Sequence, residues 1–70
     1  MNPTRLLGIA ADHLAAARRF REAGADANRS RDSDIAAQIL LDRARKLMGK
    51  RRPNAPQRRL LKLIKRFYSQ

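Results

Sequence analysis

Cysteine, tryptophan and valine are all missing from this 70-residue chain, and histidine occurs once, at position 13. Without cysteine no disulfide can brace the fold. A single imidazole with no thiolate beside it does not make an ordinary structural zinc site. Aromatic residues are limited to Phe20, Phe67 and Tyr68, and β-branched residues are few, which argues against a β-sheet core. No apolar run approaches the roughly 18 to 20 residues of a bilayer span. The start lacks the charged opening and continuous apolar stretch of a secretory signal, so an ordinary first helix and a cytoplasmic chain are expected. The three glycines, at 8, 24 and 49, are isolated. No glycine-rich phosphate loop, metalloprotease helix motif or nucleophile elbow is present, and no enzyme, cofactor or small-molecule substrate is expected.

One further absence is the most informative. After Asp42 there is no acidic residue. Residues 1–42 carry six basic and six acidic side chains, whereas residues 43–70 carry eleven basic ones and none of the opposite sign. The whole net charge of +11 therefore lies in the last 28 residues. Such asymmetry suggests a polyanionic partner.

Alanine, leucine and arginine dominate what is there, and all three favour helix. A chain this short makes one domain, and it buries only about 60% of the surface its unfolded form exposes, so it depends on helix packing or on a partner. The expected class is all-α, a small three-helix bundle. It consists of an antiparallel helical hairpin plus a basic amphipathic C-terminal helix, with helices over about 3–23, 32–48 and 55–68.

In the first helix Asn2 can cap and Pro3 suits the first helical position. Leu6, Ala10, Leu14 and Ala17 recur at spacings of three and four, and Gly24 ends the element. Gly8 either permits close helix approach or costs some helix stability. A polar connection is expected over 25–32, with Ser30, Asp32 and Ser33 as candidate caps of a second helix and Asp34 in its first turn. Ala36, Ala37, Leu40, Leu41, Ala44, Leu47 and Met48 give that helix a broad apolar face, and Gly49 closes it. Pro53 and Pro56 make the strongest break in the chain. Asn54 can cap a third helix with Leu60, Leu61, Leu63, Ile64, Phe67 and Tyr68 on one side.

Two candidate chemistries fail on their own terms. Asp12 and His13 are adjacent, and adjacent residues on a helix do not face each other, so they form no catalytic dyad. Asp26, Asn28, Ser30, Asp32 and Asp34 fall at alternate positions of a calcium-loop pattern, but Arg31 stands where the turn needs glycine and Ala37 where the loop needs glutamate.

The basic set remains: Arg43, Arg45, Lys46, Lys50, Arg51, Arg52, Arg58, Arg59, Lys62, Lys65 and Arg66. Arginine suits phosphate because its planar fork bonds it bidentately. These residues are expected to engage nucleic acid through backbone phosphates; six such contacts on duplex DNA would lower log affinity by about 5 per tenfold rise in salt. The connections are too long for a helix-turn-helix, which speaks against sequence reading. An alternative is a protein-interaction module, or self-association, through apolar surface left over at Ile35, Ile39, Leu63 and Phe67. A third expectation is an anionic membrane surface met by residues 56–69, with Leu60, Leu61, Ile64, Phe67 and Tyr68 inserting.

Overall fold

The computed structural model describes residues 2–24 and 27–69. They form three α-helices and no strand: α1 (Pro3–Glu22), α2 (Ala27–Met48) and α3 (Ala55–Tyr68). No described helix is long and apolar enough to cross a membrane.

Helices α1 and α2 make an antiparallel hairpin. Near the connection Arg21 of α1 pairs with Asp34 of α2 at 3.2 Å, and at the far end Leu6 lies beside Arg43, Lys46 and Leu47. The seam between them has coiled-coil spacing. Leu7, Ala10, Leu14 and Ala17 on α1 alternate steps of three and four, as do Ala37, Leu41, Ala44 and Met48 on α2. Leu7, Ala10, Ala17, Ala37 and Ala44 are fully buried. Alanine at every second seam position lets the two backbones approach closely, and leucine fills the space between.

Helix α3 folds back onto a neighbouring face of α1 instead of projecting away. It runs parallel to α1: the Gln57 amide donates to the Thr4 hydroxyl at 3.0 Å near both N-termini, while Arg18 shares a cleft with Leu63, Arg66 and Phe67 further along. Ile64 is buried in the common core, with Leu60, Leu61 and Phe67 packed against it. Helix α1 is thus the shared member, in backbone contact with both others. The hairpin sets the long dimension of a body measuring 39 × 18 × 16 Å.

The expected ends of α1 and α3 hold closely. The Asn2 side chain accepts from the Thr4 N–H at 2.9 Å, and Gly24 closes α1 with φ +68°. Asn54 and Gln57 form a reciprocal capping box, each side chain accepting from the other's N–H at 3.0 Å. The start of α2 is a correction. It begins at Ala27, so Ser30, Asp32 and Ser33 are not caps and Asp34 is not in its first turn. The Ser30 hydroxyl instead donates to the Ala27 carbonyl at 3.0 Å and is buried. Residues 28–34 are helical, which removes the loop a calcium pattern needs; Asp26 lies outside the described residues. Of the two readings of Gly8 the second holds, because a Cβ there would meet nothing within 4 Å and no close approach requires the glycine.

Candidate nucleic-acid interface

The eleven cations after Asp42 are all exposed, but they do not all point the same way. The helix that carries most of them is also the most sharply two-sided. In α3, Gln57, Leu60, Leu61, Ile64 and Phe67 turn inward, and helical geometry sets Arg58, Arg59, Lys62, Lys65 and Arg66 on an arc of roughly 120° on the opposite side. One side of this helix is held by α1 and the other is uninterrupted positive charge. Apolar burial therefore fixes which way the cations face.

Lys50, Arg51 and Arg52 continue the charge around the end of the bundle. The connection is shaped by Gly49 at φ +59°, whose N–H donates to the Arg45 carbonyl at 3.0 Å. Arg51 and Arg52 line a cleft of about 190 Å³ with Pro3, Leu47, Met48, Asn54 and Gln57. The capping box fixes the direction in which the chain leaves this cleft and enters α3. An Asn-x-x-Gln spacing ahead of an apolar run is a legible sign of such a box, yet only the Asn54 half of it is obvious from composition.

Arg43, Arg45 and Lys46 behave differently. Steps of 100° around α2 leave Arg43 and Lys46 about 60° apart on one side of the helix and turn Arg45 away from both. Lys46 pairs with Asp42 at 3.2 Å on the exposed surface. Arg45 lies on the side toward Tyr68. The Tyr68 hydroxyl is held above its ordinary pKa, first by burial and then by the nearby Asp34 carboxylate, against which Arg45 acts in the opposite sense. Arg43 and Lys46 line a groove with Leu47 and with Leu6 of α1. The α3 cations thus share one arc, Arg51 and Arg52 line the cleft at the start of α3, and Arg43 and Lys46 border the same Leu47 from the α2 side.

Among the described residues the ion pairs are Arg18–Glu22, Arg21–Asp34 and Lys46–Asp42. None involves a cation of α3 or of the connection. No group of acidic or imidazole side chains among the described residues could hold a metal ion.

The leftover apolar surface is also placed. Ile35, Ile39 and Leu63 are exposed, as are Leu47 and Tyr68. Phe67 departs from expectation: it is half-buried against the core, because its position on α3 falls on the α1-facing side. Comparison of the chain with protein-family models, with curated proteins and with solved structures found no match.

Proposed function

We propose that this protein is a non-enzymatic nucleic-acid-binding protein that grips the phosphate backbone through Arg58, Arg59, Lys62, Lys65 and Arg66, with Lys50, Arg51 and Arg52 extending the contact. The observation that carries this reading is the single solvent-facing arc of α3, free of carboxylate partners among the described residues. The arc contains no aromatic ring. Phe67 is turned into the core and Tyr68 toward α2, so nothing on the cationic side offers a stacking platform for unpaired bases. That composition suits the regular phosphate rows of a duplex and backbone contact without base readout.

The membrane reading draws little support. Its apolar side would consist of Leu60, Leu61, Ile64, Phe67 and Tyr68, and of these all but the exposed Tyr68 pack in or against the core. A bilayer could use them only by displacing α3 from its seat.

The test is fluorescence anisotropy with a short duplex of arbitrary sequence across a salt series. Five phosphate contacts give a slope of log affinity against log salt of about −4.5. Replacing Arg58, Lys62 and Arg66 together with glutamine shallows it by about 2.7 while leaving helicity intact. An affinity that does not change with salt refutes the reading.

A further inference from the structure

The outer face of α2, turned away from α1, carries a pattern that phosphate binding does not use. Ile35, Ile39 and Leu47 are the exposed large apolar residues of that helix, at 48%, 52% and 56% exposure. Ile35 and Ile39 lie opposite α1 and begin a row of residues four apart, 35, 39, 43 and 47, that winds toward the flank where Arg43 and Leu47 lie beside Leu6. Such a row is a packing ridge, and ridges of this type interdigitate with their own kind in the commonest class of helix crossing. Scattered exposed leucines would mean little. A single aligned row on a chain with few large apolar residues to spare is a different matter.

Charge is ordered along the same face. Asp32 lies toward its N-terminal end, Arg43 and Lys46 toward its C-terminal end. That order complements itself when two copies run antiparallel. A two-fold axis beside Ile39 sets Ile39 against Ile39 of the second copy and lays Ile35 on the aliphatic stem of the second copy's Arg43. It brings Asp32 between Arg43 and Lys46 of the second copy, and the symmetry makes the same pairs twice.

We infer that this protein self-associates into an antiparallel dimer through the outer face of α2, centred on Ile39. The acidic residues all belong to the first 42 positions, so this face is where two copies of a +11 chain can meet without opposing their cationic arcs. The row spans about three turns, short of the roughly 800 Å² per partner of a standard interface, which makes the dimer weak and reversible. Helix α3 sits on α1, so the dimer leaves both of its cationic arcs open. Arg43 and Lys46 are thereby assigned to the seam, away from the phosphate-binding set. The inference stands on different residues from the proposed nucleic-acid contact.

Sedimentation equilibrium of the full chain, freed of nucleic acid by nuclease and high salt, tests it. The expected result is a monomer–dimer equilibrium with Kd on the order of 10–100 μM that tightens as salt screens the net repulsion. Nucleic-acid affinity moves the other way with salt, so failure of either idea can be told from failure of the other. Ile39→Glu, at a half-exposed site where the fold should survive, weakens association at least tenfold with an unchanged circular-dichroism spectrum. Asp32→Lys also weakens it, and adding Lys46→Glu restores it toward the starting value. A chain that stays monomeric to about 1 mM in high salt overturns the inference, as does an Ile39→Glu variant that associates like the parent. A dimer that Asp32→Lys leaves unaltered overturns the proposed register and with it the assignment of the seam.

Discussion

Gln57 is the residue whose removal should report most directly on how the basic helix is held. Its side-chain oxygen accepts from the Asn54 N–H and its amide donates to the Thr4 hydroxyl, each at 3.0 Å, and the residue as a whole is 9% exposed. Gln57→Ala removes both hydrogen bonds. A net bond contributes about 0.5–1.5 kcal/mol, and the lower half of that range applies because water can reach Asn54 and Thr4. Loss of the one buried methylene, Cγ, adds about 0.8 kcal/mol. The expected loss is about 2–3 kcal/mol, in a chain whose entire stability should be roughly 4–10 kcal/mol. Urea unfolding followed by circular dichroism measures it, and Tm should fall by roughly 10–20 °C. Gln57→Glu keeps an acceptor for the Asn54 N–H, lets Thr4 donate to it and places negative charge in a first helical turn, so its cost stays below about 1 kcal/mol. A double-mutant cycle with Thr4→Val isolates the bond between helices and should return a coupling of about 0.5–1 kcal/mol. A loss under 0.5 kcal/mol for Gln57→Ala, or no coupling to Thr4, would show that α3 is seated by apolar packing alone.

Other substitutions probe the remaining supports. Gly8→Ala should stabilise the chain by about 0.5–1 kcal/mol in the same urea assay, since the new methyl meets nothing and the helix interior loses a glycine. Ile64→Ala should cost about 2–4 kcal/mol and strip hydrogen-exchange protection from α3 before the hairpin, because the side chain is 4% exposed at the centre of the α3 seat. Leu63→Ala, one position away but exposed, should cost less than about 1 kcal/mol. Tyr68, the sole tyrosine, gives a pH readout. Its pKa is raised in the folded chain, so its contribution is fully present below the ordinary phenol pKa of 10.0 and is lost as pH rises through the higher folded value. Absorbance titration should place the phenolate transition above that of the urea-unfolded chain, and Tyr68→Phe should remove this part of the alkaline loss of stability.

The ends of α3 could be read directly, since Asn54, Pro56 and the apolar spacing that follows leave little choice of boundary. The start of α2 could not. Residues 27–34 hold no large apolar side chain, and the positions that face α1 are occupied by Ser30 and Ser33, residues that in isolation advertise caps and turns. Burial overrides that preference, and Ser30 meets the requirement by bonding back to the Ala27 carbonyl. The Leu–Ala alternation of the seam is visible in the sequence once the partner stripe is known, but nothing local distinguishes it from a general apolar face. For the candidate interface, the position of the charge is plain from composition and the α3 arc follows from periodicity. The separation of Arg45 from Arg43 and Lys46 follows from the same 100° steps, although closeness in sequence hides it. Phe67 is hard to place for a related reason: a large aromatic near the end of an amphipathic helix looks like surplus until the neighbouring helix is there to cover it.

Helix α3 has its close backbone contacts with α1, and it meets α2 through side chains such as Tyr68. The hairpin closes over a short connection, whereas the seat of α3 on α1 joins residues about fifty positions apart, a longer loop to order for a smaller return in buried surface. The element that bears the cations is consequently the first to lift and the last to settle, and it can do either while the hairpin stays intact. A polyanion that grips the seated helix pins it in place, so its binding should register as a slowing of local opening well away from any phosphate.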